Sequence, residues 1–117
     1  MKHSKTTGRG EFEVLLETPS SQAAMMTIAP GESSGESSAN EHAWAEQWLY
    51  VVSGQGVARS GTKTVKLAVG SLLLIEKGEP HAIENSGKTP LVTLNIYAPP
   101  AYDDDGEPLY GGTSGRT

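Results

Sequence analysis

The segment from Gly70 to Asn85 constrains the fold of this chain more than any other. It contains a short apolar run, a turn with the sequence Lys-Gly-Glu-Pro, and a second short run that begins at His81. Pro80 fixes its own φ angle and biases the residue before it toward an extended form, so the turn is stiff and presents His81 reproducibly. Short apolar runs bounded by Gly and Pro are typical of strands, and the run 71–75 is consistent with a buried strand. The segment therefore predicts two short strands joined by a rigid turn.

The rest of the chain repeats this pattern of short strands and frequent turns. Alternation of apolar and polar residues from 11 to 18 predicts a half-buried strand. The further predicted strands are 23–29, 47–53, 57–59, 62–67, 71–75, 81–85 and 91–97. No segment shows a sustained helical period, and 14 Gly with 7 Pro supply many turns. The chain therefore predicts an all-β barrel or sandwich of roughly eight to ten short strands.

The predicted strand 47–53 carries information on both of its faces. Gln47 shares one face with Leu49 and Val51, whereas Trp48 and Tyr50 lie on the other. If Gln47 points into a barrel, the two aromatic side chains point outward, against another layer or another subunit. An open sandwich also has strand edges that need covering. We therefore predict a homodimer.

Composition excludes several classes of function. The chain of 117 residues has room for one domain, with a flexible lead at 1–10, a barrel at 11–98 and a partly disordered arm at 99–117. A net charge of -5 with scattered Lys and Arg argues against a nucleic-acid partner. No apolar run approaches the ~18 residues of a membrane span, and no apolar segment follows the basic N-terminus as in a signal peptide. The absence of Cys excludes disulfides and thiolate sites and favours a cytoplasmic location.

The segment that contains His81 resembles the second motif of the cupins, G-x5-P-x-G-x2-H-x3-N. Gly70, Gly78, His81 and Asn85 match that motif in full register, and Glu76 stands where the family has Pro. The resemblance covers roughly residues 11–98. It implies the cupin double-stranded β-helix, a small jelly-roll barrel with all-β structure in one domain, similar to the small cupin_2-like proteins.

The first cupin motif, G-x5-H-x-H-x3or4-E-x6-G, is degraded in this chain. Counting back from its last glycine, the Glu position holds Gln47. With the four-residue gap, the two His positions hold Asn40 and His42. With the three-residue gap, they hold Glu41 and Ala43.

The resemblance implies one divalent metal ion, with Zn, Fe, Mn, Ni and Cu all open. Carried over residue by residue, the ligands are His42, Gln47 and His81, and the fourth position goes to Glu41 or Asn40. Neutral imidazole is a good ligand for these metals. The amide of Gln47 removes a carboxylate charge that would offset the metal, so affinity should fall.

Two functions compete at this point. The first is a metal-dependent enzyme, dioxygenase- or isomerase-like, that acts on a small organic molecule through a metal with open positions. The alternative is a non-catalytic cupin that binds a small ligand, such as a sugar or phenolic, with a weak or absent metal site. The degraded first motif favours the alternative, and no catalytic residue is assigned. A structural interaction domain without a pocket is a third interpretation, because the fold alone decides nothing.

Overall fold

The computed structural model describes residues 1–8, 10–35 and 39–109. These residues form eight β-strands and no helix, which confirms the predicted all-β fold. The strands are β1 (Phe12–Thr18), β2 (Ser21–Ile28), β3 (Glu46–Ser53), β4 (Gly56–Ser60), β5 (Lys63–Leu67), β6 (Leu72–Ile75), β7 (Ala82–Glu84) and β8 (Leu91–Ala98). Their bounds lie within two residues of the predicted ones. Nowhere in this described part is there a helix long and apolar enough to cross a membrane.

The strands form two antiparallel sheets. The larger sheet has the order β1-β2-β8-β3-β6, and the smaller sheet has the order β5-β4-β7. The inner faces of both sheets contribute to one apolar cluster, which contains Ile28, Leu49, Val51, Ala58, Leu67, Ile75, Ile83 and Leu91. The main core therefore lies between the sheets, as in a small jelly roll.

Strand β8 runs through the middle of the larger sheet, paired with β2 and β3. Its residues alternate strictly: Leu91, Thr93, Asn95 and Tyr97 are buried, and the residues between them are partly exposed. Leu91 belongs to the apolar cluster, whereas the other three inward side chains carry polar groups. This strand therefore brings polar atoms into one half of the interior.

Strand β3 confirms the two faces predicted from its alternation. Gln47, Leu49 and Val51 are buried, while Trp48 and Tyr50 are exposed. Since side chains on a strand alternate between the two sheet faces, the inward position of Gln47 follows from the burial of its two apolar neighbours. This strand supplies the first inward polar side chain of the site.

One local prediction was wrong. The run 71–75 was expected to be a buried strand, but Leu72 is 63% exposed and Leu74 is also exposed. These two side chains lie on the outer face of the larger sheet, as do the exposed Trp48 and Tyr50 on the paired strand β3. Strand β1 is partly buried as predicted, although its pairing with β2 shifts register between Val14 and Leu16.

Gly54 allows β3 to turn sharply into β4. Its φ angle of 85° lies in the left-handed region, where glycine has no steric penalty. A Cβ added there would lie 2.9 Å from Leu91 Cα and would collide with the carbonyl oxygen of Pro90. A side chain at this position therefore cannot be accommodated without moving the start of β8.

The segment after β8 folds back over the end of the barrel. Gln22 on β2 holds it: its Oε1 accepts hydrogen bonds from the N–H groups of Ala101 and Tyr102, each at 3.1 Å, and its Nε2 donates to Tyr102 O at 2.7 Å. Ala101 and Tyr102 are buried. Tyr102 therefore anchors the segment, whereas the rest of the predicted arm from Tyr110 onward lies outside the described residues. The predicted bounds of lead, barrel and arm stay a prediction.

Candidate functional site

A cavity of about 450 Å³ opens at the end of the barrel that the C-terminal segment covers. Its wall includes the three side chains predicted from the motifs, His42, Gln47 and His81, together with Glu41, Tyr97 and Tyr102. The fold thus gathers in one place residues that are far apart in sequence.

Two turns hold the histidines next to each other. His42 lies in a turn that precedes β3, and the Oδ1 atom of Asn40 accepts a hydrogen bond from His42 N at 2.8 Å. The Nδ2 atom of Asn40 donates to Glu79 O at 2.9 Å, and His81 N donates to Ala39 O at 2.9 Å. Because Asn40 ties one turn to the other with both ends of its amide, it acts as a local scaffold here.

Both imidazoles are neutral at pH 7. Burial, together with the neighbouring His81, lowers the pKa of His42 to about 4, and burial also lowers the pKa of His81. The two ring centroids are 4.9 Å apart. The Nδ1 atom of His81 lies 3.0 Å from Glu79 O, which can only accept, so we assign the hydrogen to Nδ1 and the lone pair to Nε2. The Nδ1 atom of His42 is buried without a hydrogen-bond partner.

A chain of amides fixes which end of Gln47 faces the cavity. Asn95 Nδ2 donates to Thr93 Oγ1 at 3.0 Å and points toward Ala24 O, 3.5 Å away, which leaves Asn95 Oδ1 as an acceptor. Gln47 Nε2 donates to that oxygen at 2.8 Å. The remaining atom, Gln47 Oε1, is buried and has no partner. An unpartnered buried acceptor costs about 1–3 kcal/mol, so a cation or a donor that contacts it would be favoured.

Thr93 and Asn95 are buried polar residues that support Gln47 and that no motif in the sequence predicted. The signal was present, because two polar residues occupy the inward positions of a strand whose first inward residue is Leu91. Polar side chains on the buried face of a central strand need hydrogen-bond partners, and those partners point to a site.

Glu41 lies on the same turn as His42 but makes a different contact. Tyr102 donates its hydroxyl to Glu41 Oε1 at 2.6 Å. Burial, with Tyr97 and Glu41 close by, raises the pKa of Tyr102, so its hydroxyl remains a neutral donor. The turn, rather than a regular strand, lets Glu41 and His42 both contribute to the cavity wall. No pattern in the sequence predicted the contact between Tyr102 and Glu41.

Aromatic rings form one side of the cavity. Tyr97 lies 5.1 Å from both His42 and Tyr102 between ring centroids, in edge-on arrangements. Phe12 lies 4.7 Å from Tyr102. Such tilted and edge-on contacts are favourable for aromatic pairs, so the rings also keep His42 in place.

The Cupin_2 family model, described as Cupin domain, matches residues 24–97, which is more than half of the chain. The chain belongs to the cupin family. The fold predicted from the two motifs is thereby confirmed as a single cupin domain of the double-stranded β-helix type.

The names of two relatives of this cupin refer to different functions. It is 29% identical over 96 residues to an oxalate-binding protein of Thermotoga maritima, a match that covers 76% of this chain and 77% of that protein. It is 35% identical over 87 residues to the tetracenomycin polyketide synthase protein TcmJ of Streptomyces glaucescens, covering 69% of this chain but 56% of that protein. Among solved structures, BH2720 from Bacillus halodurans superposes with a TM-score of 0.73 at 26% identity, covering 83% of this chain and 76% of that one.

The residues of this cupin fit a divalent metal ion in their chemistry. Two neutral imidazoles and one amide oxygen line the cavity, and His42 Nδ1 and Gln47 Oε1 have no protein partner. Within residues 1–8, 10–35 and 39–109, however, no three His, Cys, Asp or Glu side chains come together as a metal site. A metal here would therefore depend on Gln47, and the ligand set of His42, Gln47, His81 and Glu41 stays a prediction.

Proposed function

We propose that this cupin binds one divalent metal ion through His42, His81 and Gln47, and that its cavity takes a small organic molecule. The observation that carries the proposal is the unsatisfied pair of buried atoms, His42 Nδ1 and Gln47 Oε1, beside a second neutral imidazole. Buried polar atoms in native proteins nearly always have a partner. A metal ion or a ligand would supply one.

A bound divalent metal would act as a Lewis acid toward a ligand oxygen. The protein's own groups would orient that ligand: Tyr102 and Glu41 form a hydrogen-bonded pair at the wall, and Phe12 with Tyr97 provides an apolar surface. The Glu41 carboxylate accepts hydrogen bonds and is placed to hold a proton from a ligand hydroxyl. Within this arrangement we propose a dioxygenase- or isomerase-like activity on the small molecule.

Elemental mass spectrometry of tag-free protein tests the metal site. We expect near one divalent metal per chain in the wild type and little in His81→Ala. His3→Ala is the matched control, because His3 is exposed and lies outside the cavity wall. If the wild type takes up no metal after incubation with zinc, nickel or manganese, or if His81→Ala retains it, the proposed metal site is wrong.

Non-catalytic ligand binding is the second candidate, and two observations favour it. The Glu of the cupin motif is Gln47 here, and the Thermotoga maritima relative is named for binding oxalate. An amide ligand carries no charge to offset that of a metal, so the metal should bind more weakly. Ligand binding that is equally tight before and after metal removal, with no turnover in either state, would support this candidate over the enzyme.

We also propose that two copies of the chain associate through the outer face of the larger sheet. Trp48 pairs in register with Leu74, and Tyr50 with Leu72, so four exposed apolar side chains form a continuous patch on β3 and β6. Monomers rarely expose large contiguous apolar patches, and a two-fold axis would cover two such faces at once. Light scattering should give twice the chain mass for the wild type and for Val65→Lys on the smaller sheet. Leu72→Lys should give one chain mass, and a wild-type monomer at micromolar concentration would contradict the dimer.

Three of the expectations from the sequence stay predictions. They are the absence of a nucleic-acid partner, the absence of a membrane partner, and the cytoplasmic location.

A further inference from the structure

The charged side chains in the described part of the cavity wall are all carboxylates. Among the described residues that line it, Glu11, Glu32 and Glu41 are carboxylates, and none is Lys or Arg. Sites that bind carboxylates usually present Arg, Lys or several converging N–H donors, because a dianion removed from water needs compensation. The described wall therefore disfavours a dicarboxylate.

Three of the polar groups that line the cavity are acceptors. Gln47 Oε1 can only accept, and the lone pair of His81 lies on Nε2 because its Nδ1 donates to Glu79 O. Glu41 also accepts, and it already receives the hydroxyl of Tyr102. The complement of these atoms is a ligand that carries O–H or N–H donors, rather than another set of acceptors.

The size and the apolar surface of the cavity point to a ring-sized ligand. Its volume of about 450 Å³ falls within the range of about 300–1,000 Å³ that is usual for small-molecule pockets. A two-carbon diacid would fill only a small part of it. Phe12, Tyr97 and Tyr102 present rings along one side, against which an aromatic ligand gains tilted or edge-on contacts.

We propose that the cavity selects a neutral, hydroxylated aromatic molecule and rejects dicarboxylates such as oxalate. One hydroxyl of the ligand donates to Glu41, and the ring packs against Phe12 and Tyr102. The inference rests on the proposed function in requiring that the cavity bind a small molecule, and it concerns the metal-free protein, because a bound divalent ion would itself attract an oxalate dianion.

Isothermal titration of metal-free protein with resorcinol and with oxalate tests the selection. Resorcinol is neutral, has two hydroxyl donors and is a poor chelator. We expect measurable binding of resorcinol and at least about tenfold weaker binding of oxalate, from the repulsion of nearby like charges at a partly exposed site. Oxalate that binds as tightly as resorcinol, or the absence of any resorcinol binding, would overturn the proposal.

Variants of Glu41 separate the effect of charge from that of shape. Glu41→Gln keeps an acceptor for Tyr102 and removes the charge, so oxalate should bind more tightly while the fold is preserved. Glu41→Lys should reverse the preference, with oxalate affinity rising about tenfold or more. Glu76→Lys is the matched control, because Glu76 is exposed and outside the cavity wall, and its preference should equal that of the wild type. Equal shifts in Glu41→Lys and Glu76→Lys would overturn the proposal.

Metal content measured on the same preparations keeps the two proposals apart. If neither the wild type nor His81→Ala takes up metal but resorcinol is still preferred over oxalate, the proposed metal site is wrong and the proposed ligand preference is supported. If metal binds with the expected dependence on His81 but oxalate is preferred by the metal-free protein, the selection fails and the metal site stands.

Discussion

Replacing Gln47 by Glu restores the carboxylate of the cupin motif, and its effect can be worked out from the structure. Gln47 is 2% exposed, and its Nε2 donates to Asn95 Oδ1 at 2.8 Å. In Gln47→Glu an ionised oxygen replaces that nitrogen and faces another acceptor at the same distance. The metal-free variant loses a hydrogen bond and gains a repulsive contact, so its free energy of unfolding should fall by about 2–4 kcal/mol.

The same substitution should strengthen metal binding. Two unit charges 4 Å apart attract by about 4 kcal/mol at an effective dielectric constant of 20. Much of this is offset by the cost of burying the carboxylate, so we expect the affinity for zinc to rise about tenfold to a hundredfold, which is about 1.4–2.8 kcal/mol. Metal should therefore raise the melting temperature of Gln47→Glu more than that of the wild type.

Thermal melts with and without zinc, together with a competitive zinc titration, measure both effects. Gln55→Glu is the matched control. Gln55 is exposed and outside the cavity wall, so this substitution adds the same charge away from the site. The environment of position 47 should raise the pKa of the new carboxyl. The loss of stability is therefore present above that pKa and shrinks as the pH falls below it. A variant that matches the wild type in both metal-free stability and zinc affinity would refute the placement of Gln47 at a metal site.

The remaining predictions concern the supporting structure. Asn95→Ala removes the acceptor for Gln47 Nε2. It should lower the free energy of unfolding, measured with urea, by about 1–3 kcal/mol and should weaken zinc binding. Burial, together with the neighbouring His81, lowers the pKa of His42 in the folded protein from its ordinary value of 6.5 to about 4. The free energy of unfolding of the metal-free protein should therefore be highest above pH 6.5 and should fall by about 3 kcal/mol as the pH drops to about 4; stability that is flat across this range would contradict this expectation. Gly54→Ala should cost about 2–4 kcal/mol from strain and collision with β8, whereas Gly61→Ala, also at positive φ but in open space, should cost about 1 kcal/mol; equal losses would contradict the role of the close approach.

The sequence was informative wherever spacing or alternation determines the structure. The two-residue period from 47 to 53 puts Gln47 on the same face as Leu49 and Val51. The turn that contains Gly78 and Pro80 predicts that His81 is presented in a fixed position. Both follow from local geometry. The pairing of His42 with His81 followed only from the resemblance to the cupin motifs, because the 38 residues between them leave their distance open.

Other features depend on contacts that no local pattern encodes. Gln22 holds the segment at Ala101 and Tyr102 across 80 positions of sequence. The exposure of Leu72 depends on whether another layer covers the outer face of the larger sheet, which the apolar run itself does not reveal. Likewise, Glu41 and Asn40 were left as alternatives, and only the turn shows Asn40 tying two loops together while Glu41 accepts from Tyr102.

The charge missing from position 47 has a counterpart elsewhere in the cavity. The proposed ligands His42, His81 and Gln47 are all neutral, so a bound divalent ion would keep its full charge. Glu41 stands on the cavity wall on the same turn as His42, and its carboxylate is held by Tyr102 rather than by a ligand position. Because Coulomb energy falls with distance and the wall is more exposed than position 47, this carboxylate offsets a metal charge only in part. In the proposed site, this arrangement would leave the metal more electrophilic and more weakly held than a carboxylate ligand would, and it would leave Glu41 available to a ligand hydroxyl. Glu41→Gln combined with Gln47→Glu should therefore bind zinc more tightly than the wild type while binding resorcinol less tightly.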